Sequence, residues 1–256
     1  MAASLRALAR RLLGVERTPT YYLPWLTVNG LECALILNNN VEVRFEPGKN
    51  EGPFPATVVQ HDADGTVVGT SEVSVIDTEA AVEVPMAPTA SGYGFVTVSM
   101  EHLRSDLYVT VSDGGSYTAT HGRFEFVETY PLRVRILFAV LGRLLAPFGR
   151  TVPAFVRDQY AYSGRDGRSH LLLLNLSNVT NRIRVVAHWD GPPGAARLVA
   201  VPPRGARLLD VGTLVPAAEV LTPLALRLEG NAWFNLYLVG AGPRDLAGLL
   251  SLMHVK

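Results

Sequence analysis

Ala34-Leu35-Ile36-Leu37-Asn38-Asn39 and Leu171-Leu172-Leu173-Leu174-Asn175-Leu176 are two apolar runs that end on asparagine, one in each half of the chain. The likeness continues downstream in the same order. Val58-Val59-Gln60-His61-Asp62-Ala63-Asp64-Gly65 stands beside Val185-Val186-Ala187-His188-Trp189-Asp190-Gly191. Asp106-Leu107-Tyr108-Val109 stands beside Asn235-Leu236-Tyr237-Leu238, and Ala119-Thr120-His121 beside Leu252-Met253-His254. Upstream, Leu8, Arg10, Leu12, Arg17 and Thr18 fall on Leu141, Arg143, Leu145, Arg150 and Thr151 at a single offset. The spacing between anchors differs by a few residues, as loop insertions produce. An unchanged order of anchors predicts duplication of a whole domain rather than a short-repeat solenoid.

Each copy has the texture of β structure. Phe95-Val96-Thr97-Val98-Ser99-Met100 and Leu107-Tyr108-Val109-Thr110-Val111 alternate and are rich in β-branched residues, as are Arg182 to His188 and Leu224 to Leu228. Turn signals separate the runs: Asp64-Gly65, Asp113-Gly114-Gly115, Asp190-Gly191-Pro192-Pro193 and Pro202-Pro203-Arg204-Gly205. Many short strands at regular spacing predict a mainly β protein of two tandem sandwich-like domains. The expected boundaries are residues 20–128 and 151–256.

Two segments depart from that pattern, one ahead of each copy. In residues 1–19, Leu5, Leu8, Ala9, Leu12 and Leu13 form one helical stripe, with Arg6, Arg10 and Arg17 opposite. Gly14 can end that helix. In residues 129–150, Leu132 to Ala146 is apolar almost all round and is stopped by Pro147. An all-round apolar helix is expected to be buried, between the two domains or against a partner.

The composition narrows the function classes. The 256 residues carry 23 basic and 23 acidic side chains, so no net field exists to hold nucleic acid phosphates. The longest apolar stretch, Ile136 to Phe148, is too short to span a bilayer and contains Arg143. Arg6, Arg10 and Arg11 interrupt any secretory leader. The single cysteine, Cys33, lies in an apolar run and reads as a buried small hydrophobe, in keeping with a cytoplasmic location.

No motif names a reaction. His61 and His188 occupy equivalent positions, as do His121 and His254, and histidine at a strand end can bind metal or act as a base. No second ligand stands two or four residues away, so a hydrogen-bonded strand-end role is preferred. Asp62, Asp64 and Asp190 lack the run of oxygen ligands that Ca²⁺ needs. Gly114-Gly115-Ser116 and Glu46-Pro47-Gly48-Lys49-Asn50 lack P-loop spacing. Asn175-Leu176-Ser177 and Asn178-Val179-Thr180 match the glycosylation acceptor pattern, but turn chemistry explains them as well. Tyr21, Tyr22 and Trp25 follow the first helix and Phe155, Tyr160 and Tyr162 the second, which suits core packing better than a sugar platform.

The second copy, His170 to Lys256, resembles the sensory rhodopsin transducer family of small β-sandwiches. The likeness lies in the strand ending Leu174-Asn175, the strand Val185 to Gly191, the Pro-containing strand Leu198 to Arg207 and the closing Ala247-Gly248-Leu249-Leu250-Ser251. It implies a non-enzymatic sandwich that oligomerises and binds partners. The expectation is a binding or structural subunit of a larger assembly, with no catalytic residue, no cofactor and no metal site. Docking is assigned to Leu5, Leu8, Leu12, Leu13, Arg6, Arg10 and Arg11, towards other protein subunits or a second copy, with a membrane surface as a further candidate. A metal protein or enzyme using the paired histidines and a carbohydrate-binding module are the alternatives.

Overall fold

The computed structural model of the protein describes residues 12–38, 54–75, 81–100, 107–164, 167–189, 196–215, 222–242 and 249–254. The first copy contributes β1 (Glu16–Leu26), β2 (Glu32–Asn38), β3 (Phe54–Asp62), β4 (Val67–Val75), β5 (Ala81–Pro85), β6 (Tyr93–Met100), β7 (Tyr108–Ser112), β8 (Tyr117–His121) and β9 (Arg123–Thr129). A helix, α1 (Leu132–Leu145), leads into the second copy. That copy holds β10 (Phe155–Ser163), β11 (Arg168–Leu174), β12 (Asn181–His188), β13 (Ala196–Val201), β14 (Ala206–Asp210), β15 (Thr222–Gly230), β16 (Asn235–Ala241) and β17 (Leu249–His254).

The repeat in the sequence is a repeat of strand pairings. The first copy forms the sheets β4-β3-β6-β1-β9 and β5-β2-β7-β8. The second forms β13-β12-β15-β10 and β14-β11-β16-β17, joined at the single pair Ser163–Arg168. Replacing β1 to β8 by β10 to β17 reproduces every antiparallel pairing of the first copy's eight strands. The sequence anchors sit on equivalent strands: β2 with β11, β3 with β12, β7 with β16, β8 with β17. Only β9 has no counterpart among the described residues.

Strand β11 shows why its sequence is apolar without alternation. Successive side chains of a strand point to opposite faces. Leu171 and Leu173 enter a core with Ile183, Leu226 and Phe234 of the second copy. Leu172 and Leu174 enter the other core, with Trp25, Leu35, Phe95 and Val109 of the first. A strand buried on both faces reads as a continuous hydrophobic run. In β16, Leu236 and Leu238 likewise face the second core while Tyr237 and Val239 face the first. Strand β1 is covered on both sides as well, since Tyr22 to Leu26 are all buried. The rings of Tyr22 and Tyr237 meet edge-on at 6.4 Å.

Polar contacts fasten the same junction. The turn between β3 and β4 lies against the turn between β13 and β14. Ala206 N–H donates to the Ala63 carbonyl at 2.9 Å, and Arg207 reaches both that carbonyl and the Asp64 carboxylate at 2.8 Å.

Of the two positions that the sequence offers the apolar helix, between the domains or against a partner, the first is not taken: α1 lies on the outside, across one end of the second copy. Val134 is buried with Tyr130, Val179 and Ala232, and Phe138 and Val15 pack at the edge of that cluster. The physical reason is that the space between the copies is already filled by side chains of β1, β11 and β16. The helix therefore has one shallow seat and turns the rest of its surface outward. It ends at Pro147 and at Gly149, whose φ of 61° suits glycine. Of the N-terminal helix, Leu12 and Leu13 are helical and exposed, and Gly14 terminates them at φ 68°. Leu5, Leu8, Arg6, Arg10 and Arg11 lie outside the described residues.

The shared core predicts that the two copies unfold together. Leu172→Ala should cost about 2–5 kcal/mol, the range for a buried leucine. It should lower the protection of both copies in native-state hydrogen exchange. Loss of protection confined to the second copy would contradict the shared core.

Candidate functional site

The seat of α1 is built from asparagines. The Asn178 side chain clamps Tyr130, accepting from its N–H at 2.8 Å and donating to its carbonyl at 3.1 Å. The Tyr130 hydroxyl donates to the buried Glu128 carboxylate at 2.7 Å. Asn181 donates to the Ala232 carbonyl at 2.8 Å and accepts from the N–H groups of Asn231 and Ala232. At the far end of the helix, Thr151 donates to the Arg182 carbonyl at 2.8 Å. The helix is thus pinned at both its entrance and its exit. Buried polar groups satisfied in this way fix one geometry.

Asn175 belongs to the same framework. It is fully buried, donates to the Val179 and Pro202 carbonyls at 2.7 Å and accepts from Ser177. The two acceptor-like motifs are therefore turn structure: Asn175 and Asn178 both spend their side chains on the backbone.

Outward from this seat, α1 presents apolar side chains to solvent. Leu132, Ile136, Val140 and Leu144 recur every four residues and form one ridge. They are 66%, 55%, 49% and 62% exposed, and Phe148 beyond them is 76% exposed. Leu137 flanks the ridge, and the exposed Leu12 and Leu13 belong to the segment that ends beside Pro131 and Arg133. Every charged residue from Pro131 to Arg157 is an arginine. Arg133, Arg135, Arg143 and Arg150 are all exposed.

A cavity of about 300 Å³ opens between α1 and the segment leading into β12. It is lined by Arg135, Phe138, Arg143, Asn178, Thr180 and Arg182, among others. No described carboxylate lies within ion-pair distance of Arg135, Arg143 or Arg182. Gly142 makes room for the third of these. A Cβ at that position would collide with the Arg182 guanidinium, so the cation lies directly against the helix backbone.

The histidines do not converge. His61 is half-buried and stacked on Phe95 at 4.9 Å. His188 is exposed at the end of β12 in the other copy. His121 is exposed beside Tyr108, with ring centroids 4.5 Å apart. His254 ends β17, and its side chain lies outside the described residues. Among the described residues no three His, Cys, Asp or Glu side chains cluster as metal ligands. Asp62 closes its own turn by accepting from the Asp64 and Thr66 N–H groups at 2.9 and 2.8 Å. Burial pushes the Cys33 thiol up to about 12, which makes it a poor nucleophile.

The aromatics behave differently in the two copies. Tyr22 and Trp25 are core residues, and Trp25 donates to the His61 carbonyl at 3.0 Å. Tyr160 and Tyr162 were expected to close the second sandwich in the same way, but both are exposed on β10. Among the described residues nothing covers the outer face of β10, where Tyr160 and Tyr162 stand beside the exposed Val156 and Asp158, while Arg157 on the other face lies over the Trp233 ring at 4.8 Å. A second concavity, about 460 Å³, lies over β2 and β5 and is lined by Cys33, Met86, Tyr117 and the carboxylates Glu32 and Glu83.

No protein-family model, curated protein or solved structure matches the chain. Among the described residues no helix is long and apolar enough to cross a membrane.

Burial holds the His61 pKa below its ordinary 6.5. As pH falls beneath that value the unfolded chain takes up the proton first, so stability is lost. Between about pH 7.5 and about pH 5.5 the urea midpoint should fall less in His61→Phe than in the parent chain. Equal falls would show that His61 contributes nothing to the acid sensitivity.

Proposed function

We propose that the protein is a non-catalytic binding subunit that docks onto an anionic membrane surface through α1. The observation that carries this reading is the exposed Leu132-Ile136-Val140-Leu144 ridge on a helix whose only charges are arginines. Fully burying one such side chain is worth about 1.5–3 kcal/mol, so half of one for each residue of the ridge is a substantial driving force. An anionic leaflet adds about 1 kcal/mol for each arginine near the surface. A helix too short to span, with an exposed apolar ridge and only basic charges among its residues, suits a position in the interface plane. A protein partner would be expected to bring carboxylates to those arginines, but the ridge also suits a deformable apolar phase. The N-terminal stripe of Leu5, Leu8, Leu12 and Leu13 with Arg6, Arg10 and Arg11 has the same chemistry and extends the surface in this reading.

The sandwiches then serve as the cargo-bearing part, held at a cytoplasmic leaflet, where anionic lipids concentrate.

Flotation with vesicles tests the proposal. The full chain should float with vesicles containing phosphatidylglycerol and remain behind with pure phosphatidylcholine. Ile136→Asp with Val140→Asp should abolish flotation and leave the melting temperature unchanged, because both positions are exposed. Raising the salt should weaken binding by screening the arginines. Absence of flotation, together with a dimer in sedimentation that the same double variant dissociates, would replace the membrane by a second copy of the chain.

A further inference from the structure

The geometry points to a phosphate-binding pocket under α1, formed by Arg135, Arg143 and Arg182, that takes the headgroup of an anionic phospholipid. The inference rests on the docking reading and deepens it, since it names what the surface recognises.

Three arginines are among the residues that line one concavity of about 300 Å³, and no described carboxylate pairs with them. Like charges held together in a cleft repel unless an anion enters. Guanidinium presents paired N–H donors that match phosphate oxygens two at a time. Asn178 and Thr180 add neutral polar groups to the wall, and Phe138 supplies an apolar floor. The cavity therefore has room for a phosphate and the polyol attached to it.

One of the three is held in place rather than merely near. Arg182 lies on β12, and its main chain is bonded on both sides: the carbonyl accepts from Thr151, and the N–H donates to the Asn231 side chain. Its guanidinium is pressed against the helix at Gly142, the one residue type that leaves space there. Glycine costs an α-helix about 1 kcal/mol relative to alanine. Its presence mid-helix thus has a packing reason, and that reason is the placement of a cation. Arg135 and Arg143, about two turns apart on α1, both line the cavity that Arg182 lines from β12. The Leu132-Ile136-Val140-Leu144 ridge lies alongside. A phospholipid with its acyl chains on the ridge would put its phosphate at the mouth of the pocket.

The test uses the full chain with two probes. In the first arm, glycerol 3-phosphate is titrated by calorimetry in the absence of lipid. The parent chain should bind it, and Arg182→Gln should weaken binding about tenfold, the loss of one charge-assisted contact. Gly142→Ala is the second variant: it favours the helix, so the chain stays folded, yet it displaces the Arg182 guanidinium and should weaken binding to a similar degree. In the second arm, vesicles containing phosphatidylglycerol are compared with vesicles of equal charge made with oleate. The parent chain should prefer the phosphate-bearing vesicles, and both variants should lose that preference. Flotation that depends on Ile136 and Val140 but is unchanged by either pocket variant, with no glycerol 3-phosphate binding, would overturn the pocket and leave the docking reading intact. Binding of glycerol 3-phosphate without flotation would overturn the lipid headgroup as its source and the docking reading with it, and leave a site for a soluble phosphoester.

Discussion

The two-sided burial of β11 is the constraint on which the rest of the molecule depends. Leu171 and Leu173 belong to one core, and Leu172 and Leu174 to the other. A strand in this position makes the two copies inseparable, because removing either would expose half of its leucines. It also fills the centre of the molecule. With β1, β11 and β16 occupying the space between the copies, no slot remains there for a helix. The apolar helix that joins the copies is driven to the periphery, where it has one seat and a free ridge.

Duplication and divergence explain how such a surface arises. The pairings of β1 to β8 recur in β10 to β17, so the two copies share one plan. The second copy carries a polar framework at one end. Asn175, Asn178 and Asn181 fix the backbone there, and Asn178 and Thr151 pin the two ends of α1. The rigidity of the framework is what lets a short helix keep apolar side chains in water without collapsing onto the sheet. A helix held only by its own apolar contacts would roll to bury Ile136 and Val140.

Much of the fold was legible in the sequence, and the site only in part. The Asn-ended runs, the Asp-Gly turns and the ordered anchors led directly to the repeated strands, because strand pattern and turn chemistry are local properties. The position of α1 was not legible. A helix with apolar residues on every side carries no mark of which side is covered, and the answer depended on whether the space between the copies was already full. The arginine pocket was hidden for a related reason: Arg182 and Gly142 are far apart in sequence and meet only through packing. One signal was present, the absence of any acidic residue from Pro131 to Arg157. The paired histidines looked equivalent in sequence and occupy equivalent strands, yet His61 and His188 lie in separate copies and form no common site.

In the proposed function, the outward ridge of α1 enters the apolar layer of an anionic membrane. Val140→Cys allows a spin label to be placed on that ridge, and the native Cys33 is buried and unreactive enough to leave the label at one position. Electron paramagnetic resonance then reports the depth of the label through its accessibility to oxygen and to a water-soluble nickel chelate. On addition of phosphatidylglycerol vesicles, the account predicts that oxygen accessibility rises and nickel accessibility falls. A label that stays equally accessible to the nickel chelate, with the protein bound to the vesicles, would contradict it.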